Sequence, residues 1–144
     1  MEHQATVEGV AVTQEERRVP VVILDARDEV VSVFVTRDQA QSIQFALEGE
    51  QFERPLTHDL FVDMVTEFGG AIDRVRVDEL REGTFMAKLD AEQYVNGERR
   101  EVTFDLRPSD AIAIALRVDA PIYLTDEVLD AAGEPAETVR FDEE

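Results

Sequence analysis

His58 is one of two histidines in the chain and stands in Arg54-Pro55-Leu56-Thr57-His58-Asp59, where a proline junction gives way to an apolar helical pattern. An imidazole titrates near neutral pH, so it can take a proton from an attacking water and return one to a leaving oxygen. Leu60, Phe61, Met64, Val65 and Phe68 follow at the spacing that gathers apolar side chains on one helix face. Thr57 reads as the N-cap, with Leu56 and Phe61 placed for a hydrophobic staple. His58 and Asp59 then fall in the first turn, where free N–H groups and the positive end of the helix dipole favour a phosphate. The same residues would also suffice simply to start a helix, with His58 as a cap or a satisfied core group.

A second junction, Arg107-Pro108-Ser109-Asp110, echoes the first. If the two helix starts converge, His58, Asp59 and Asp110 form a catalytic set, with Arg54, Arg107 and Ser109 to bind phosphate. Each arginine offers a planar fork to phosphate oxygens. Alternatively, each pairs with the other junction's aspartate and locks the two starts together. Ser109 reads as a cap rather than a nucleophile, because no second histidine or lysine is placed to activate it. Asp59 and Asp63 are four residues apart and share a helix face, so with Glu48 they offer a site for Mg²⁺ or Mn²⁺. Glu67 extends that stripe, and such a stripe is usually a solvated face. His3 is expected to lie in a frayed terminus. There is no H-E-x-x-H motif and no glycine-rich phosphate loop, and no organic cofactor is expected.

Charge bounds the partners. The 144 residues carry 33 acidic and 14 basic side chains, for a net −19, and Lys88 is the only lysine. Carboxylates spread over the whole chain suit a protein adapted to molar salt, where the Debye length falls to roughly 3 Å and self-repulsion is weak. At ordinary ionic strength the same charge opposes nucleic-acid binding, which draws on cation–phosphate contacts. The absence of cysteine excludes disulfides, thiolate catalysis and cysteine-ligated zinc. No apolar run of eighteen residues and no signal-peptide pattern is present, so no membrane partner and a cytoplasmic location are expected.

The elements that must position these groups are legible in outline. Strands are predicted over Thr6–Thr13, Pro20–Leu24, Val30–Val35, Ile72–Leu80, Thr84–Ala91, Glu101–Leu106 and Ile122–Leu124. Asn96-Gly97 is the strongest hairpin signal. Thr36 with Gln39 makes a capping box for a helix ending at Gly49. A second helix runs from Thr57 to Phe68, a third opens at Pro108, and a last turn or two spans Asp126–Ala132. The predicted organisation is one domain over 1–133 followed by an acidic, flexible tail over 134–144.

Ala46-Leu47-Glu48-Gly49, Arg54-Pro55-Leu56-Thr57-His58-Asp59-Leu60, Gly83-Thr84-Phe85, Arg107 through Arg117 and Pro121-Ile122-Tyr123 together resemble the bifunctional nuclease domain family, over roughly Thr6–Gly133. The resemblance implies an α+β fold, a mixed and mainly antiparallel sheet with three main helices packed on it. It also implies a homo-oligomer, a dimer or trimer, and hydrolysis of DNA and RNA. The acidic surface points to a halophilic archaeal member. Asp119 departs from the family, which usually has glycine before this Ala-Pro pair. Three readings follow: a metal-assisted nuclease, a non-catalytic binding or regulatory module with a buried Arg/His/Asp network, and a structural oligomer. The breadth of the resemblance favours the nuclease.

Overall fold

A computed structural model describes residues 1–13 and 16–136. In chain order the elements are β1 (Glu2–Val12), β2 (Pro20–Ala26), β3 (Glu29–Phe34), α1 (Arg37–Glu48), α2 (Thr57–Glu67), β4 (Gly70–Arg81), β5 (Thr84–Val95), β6 (Glu98–Leu106), α3 (Pro108–Val118), β7 (Ile122–Thr125), α4 (Asp126–Ala132) and β8 (Glu134–Pro135). One sheet takes the order β6-β5-β4-β7-β1-β2-β3-β8. Every neighbouring pair is antiparallel except β4 with β7. The expected α+β class is therefore present, with a fourth, short helix.

Local chemistry sets most element ends. The Thr36 hydroxyl accepts from the Gln39 N–H at 3.2 Å, and the Gln39 carbonyl oxygen accepts from the Thr36 N–H at 2.8 Å, so the capping box forms. Gly49 ends α1 in the left-handed conformation, φ 67°. Asn96 and Gly97, at φ 52° and 79°, close the β5–β6 hairpin. Asp119 ends α3 at φ 55° and ψ 34°, so an aspartate occupies the left-handed position that glycine adopts without strain.

The core is built around α3. Ala111, Ile112, Ala113, Ile114 and Ala115 are all buried. The alanines let strands and helices approach its axis from several sides. Val75 and Val77 of β4, Leu89 of β5, Val22 and Leu24 of β2 and Val31 of β3 join the same cluster, with Ile43 of α1 and Leu129 of α4. Because β3 and β6, far apart in strand order, line one cleft together, the sheet curls around the helix rather than lying flat. The far face of β4, β5 and β6 is a ladder of charges. Asp90 there accepts from Arg74, Arg76 and Thr103, and the Arg76 hydrogen bonds above all hold its carboxyl down at about 2.

Several expectations need correction. The apolar stripe of α2 does not enter the core: Leu60, Phe61, Met64 and Phe68 are 49%, 39%, 49% and 71% exposed. The helix packs inward through Val62 instead, beside half-buried His58, Asp59 and Val65. A helical period identifies an apolar face without saying what covers it. Leu56, not Thr57, is the N-cap of α2, and it has no side-chain oxygen to give. Ser109 is not a cap either, since Arg107 holds that position in α3. The terminus is not frayed at His3, which sits in β1 opposite Leu124 and bonds the Asp126 carboxylate at 2.7 Å. Past residue 133, Glu134–Pro135 pairs with β3, and residues 137–144 of the expected tail lie outside the described residues. Among the described residues no helix is long and apolar enough to cross a membrane.

Candidate functional site

The two helix starts meet. His58, second residue of α2, places Nε2 2.9 Å from Oδ1 of Asp110, third residue of α3. A carboxylate can only accept, so the neutral ring carries its proton on Nε2 and turns the Nδ1 lone pair the other way. There it meets the hydroxyl of Ser42, from the middle of α1, at 2.6 Å. The Ser42 oxygen also accepts from Nη2 of Arg117 at 3.2 Å. A serine, an imidazole and a carboxylate thus form one hydrogen-bonded line with a guanidinium at its serine end.

Arg107 closes the other end. Its Nε and Nη2 donate to the two Asp110 oxygens at 2.7 Å and 3.2 Å, while its own side chain stays 66% exposed. Burial alone would raise the Asp110 carboxyl, but the hydrogen bonds from Arg107 and then His58 outweigh it and hold the group below the ordinary carboxylate range. Asp110 is thereby kept as an anion, the form that can orient and support a protonated imidazole.

Asp59 goes elsewhere. Its Oδ2 folds back to accept from the Leu56 N–H at 3.0 Å, and its Oδ1 accepts from Nε of Arg117 at 2.7 Å. Arg117 is only 8% exposed. It also donates to the carbonyls of Ala113 and Ser42, at 2.9 Å and 3.3 Å, so α1, α2 and α3 are tied through one guanidinium. The exchange in which each junction's arginine takes the other's aspartate is not what forms. Arg107 keeps its own Asp110, and Arg54 is exposed and joins none of these bonds.

The metal set does not assemble. Both Asp59 oxygens are engaged, and Glu48 is held by Gln44 at 2.9 Å. Asp63 shares a small indentation with Asp59 and Arg117, and Glu48 does not line it. Among the described residues no three histidine, aspartate or glutamate side chains are gathered to hold an ion. These donors do not fit a divalent cation as they stand.

Ser42 and Arg117 carry much of this geometry, and the two-junction reading did not include them. Arg117 left a trace in the sequence: a lone cation in the last turn of an otherwise apolar helix requires a carboxylate. Ser42 left only a hydroxyl beside the buried stripe of α1, which is a weak signal. Beyond Arg107, a cleft of about 600 Å³ opens between β3 on one side and β5 and β6 on the other, with Arg107 and Ser109 among its lining. His58 does not line it; Asp110 and Arg107 connect the two.

The profile of the bifunctional nuclease domain matches residues 21–137. Two uncharacterized proteins of Mycobacterium tuberculosis, from strains CDC 1551 / Oshkosh and ATCC 25618 / H37Rv, are each 34% identical over 131 residues, covering 90% of this chain and 76% of their own. Bifunctional nuclease 1 of Arabidopsis thaliana is 30% identical over 108 residues, or 73% of this chain and 33% of its own length. Bifunctional nuclease 2 of Oryza sativa subsp. japonica is 27% identical over the same number. The chain spans about a third of each of these two plant relatives. With its proline-led helix starts joined through His58 and Asp110 inside the matched span, the chain belongs to the bifunctional nuclease domain family.

Proposed function

We propose that this protein hydrolyses phosphodiester bonds in DNA and RNA, using His58 for proton transfer, Asp110 to orient it and Arg107 to meet the phosphate. The observation that carries this reading is the 2.9 Å His58–Asp110 bond, made on the same carboxylate that holds a mostly exposed arginine beside an open cleft. Family membership and the plant bifunctional nucleases support it. His58 turns from Ser42 toward the phosphate beside Arg107 and takes the proton of the water attacking phosphorus. The P–O bond to the leaving oxygen breaks, and that oxygen ends with the proton. Arg107 offsets charge growing on the phosphoryl oxygens, an effect strengthened where water is excluded. Asp59 and Arg117 hold the helices that present these groups. No step is routed through a metal, because Asp59 would first have to give up Arg117.

The test is cleavage of labelled DNA and RNA oligonucleotides in molar KCl, with and without EDTA. His58→Ala is expected to lower the rate about 10²- to 10⁴-fold in protein whose circular dichroism is unchanged. Wild-type protein that is folded in KCl and cleaves nothing would overturn the reading. Cleavage that EDTA abolishes would return Asp59 and Asp63 to the chemistry.

A structural network is the second reading. It is favoured by one observation: both His58 ring nitrogens and all three Arg117 side-chain nitrogens are already taken by protein groups. On that reading His58→Ala lowers the melting temperature and there is no turnover to lose.

The exposed face of α2 supports a homo-oligomer, a dimer or trimer. Counting ~200 Å² for a whole large side chain, its four apolar residues alone present about half the ~800 Å² per partner of a standard interface. Phe68→Asp is expected to shift light scattering to the monomer mass. The acidic surface supports a salt-adapted protein, so the folded fraction is expected to rise with KCl; full folding in dilute buffer with no gain on adding salt would remove that part.

A further inference from the structure

The cleft beside Arg107 is more specific than a phosphate site. Its floor is formed where two helices begin, with Gln39 from the first turn of α1 and Arg107 and Ser109 from the start of α3. Residues from two helix starts therefore line the cleft together with a mostly exposed guanidinium. Ser109 is 5% exposed and among the residues lining the cleft, and its hydroxyl bonds no other described residue. Gln39 spends its carbonyl oxygen on the Thr36 cap, leaving its amide nitrogen without a partner among the described residues. The walls are different. Phe34 at the end of β3 is 66% exposed at the mouth, and Phe85 faces the same space from β5. Asp105 is the one carboxylate of the lining, and Lys88 holds it at 3.0 Å.

We propose that this cleft binds one nucleotide unit of the substrate, its phosphate at Arg107 and Ser109 over the two helix starts and its base laid against Phe34 and Phe85. The assignment rests on the hydrolase reading and adds a position for the base. An arginine with an adjacent donor recognises phosphate, whereas a free aromatic ring at the mouth of an apolar wall recognises a flat π-face. Neither inorganic phosphate nor an uncharged ring satisfies both halves. In a duplex the base is stacked and paired, so filling the cleft requires a single-stranded or extruded nucleotide. The charge of −19 argues the same way: with long-range attraction absent, short-range stacking must supply much of the affinity.

The experiment is calorimetric titration in molar KCl of adenosine 5′-monophosphate, adenosine and inorganic phosphate against the full chain. The monophosphate is expected to bind at least about tenfold more tightly than either part. Phe34→Ala, at a mostly exposed position, is expected to weaken the monophosphate about tenfold while leaving inorganic phosphate unchanged. Ser109→Ala is expected to weaken both phosphate-bearing ligands and leave adenosine unchanged. A monophosphate no tighter than inorganic phosphate, or one indifferent to Phe34→Ala, overturns the nucleotide site. Oligonucleotide cleavage measured on the same preparations separates the two readings. Persistent His58-dependent cleavage without monophosphate binding removes the cleft and keeps the hydrolase; binding without any cleavage does the reverse.

Discussion

The two helix starts share a plan in sequence and part company in structure. Each places a proline ahead of the first turn or inside it and an aspartate three residues after the N-cap. At α2 the aspartate turns back on its own backbone, bonds the Leu56 N–H and is finished off by Arg117. At α3 the equivalent aspartate leaves its own backbone alone and reaches outward to His58 and Arg107. The same residue at the same position is a clamp in one helix and the centre of a polar array in the other. The difference lies in the neighbours: Asp59 faces a nearly buried cation between three helices, and Asp110 faces a ring and a mostly exposed arginine.

Substitutions can break this contrast. The largest effect is expected from Asp110→Asn, which keeps the shape of the side chain but cannot support a charged imidazole. Its cleavage rate should fall about 10²- to 10⁴-fold, with a modest fall in melting temperature from the lost charged hydrogen bonds. Asp59→Asn should do the opposite, and similar rate losses in both variants would erase the distinction between the two starts. Next is Arg117→Ala, which leaves Asp59 half-buried and unpaired and unties α1 from α2. Urea unfolding is expected to show a loss of about 2–3 kcal/mol, below the range for a fully buried pair because Asp59 is 32% exposed.

Acid titration sharpens the contrast further. Asp110 is held below its ordinary 3.8 in the folded protein, so the stability it contributes is complete above that value and is lost as pH falls through the lower, folded one. Asp110→Asn should therefore flatten part of the decline in stability below about pH 4, read by urea unfolding at stepped pH. Asp119→Gly is expected to have the smallest effect, a gain of up to about 1 kcal/mol from relieving a left-handed non-glycine residue.

Features that depend on a few adjacent residues were legible in the sequence. The Thr36–Gln39 box, the Asn96-Gly97 turn and the proline at the start of α3 each carry their own geometry, and each formed as expected. The meeting of His58 with Asp110 was legible only as a possibility raised by two similar motifs. Ser42 and Arg117 were not legible as site residues, because their partners come from other helices and no local pattern encodes them. The α2 stripe misled for a related reason. Periodicity reports that Leu60, Met64 and Phe68 share a face, but whether the protein's own core covers that face is decided by elements dozens of residues away.

The curl of the sheet around α3 has a mechanical consequence. Val33 and Leu106 belong to strands separated by five others in the sheet, yet both border one opening. Whatever fills that opening acts as a clasp between two otherwise independent margins. Hydrogen exchange at the backbone of β3 and β6 should then slow in concert on occupancy, although no bond of the sheet runs directly from one to the other.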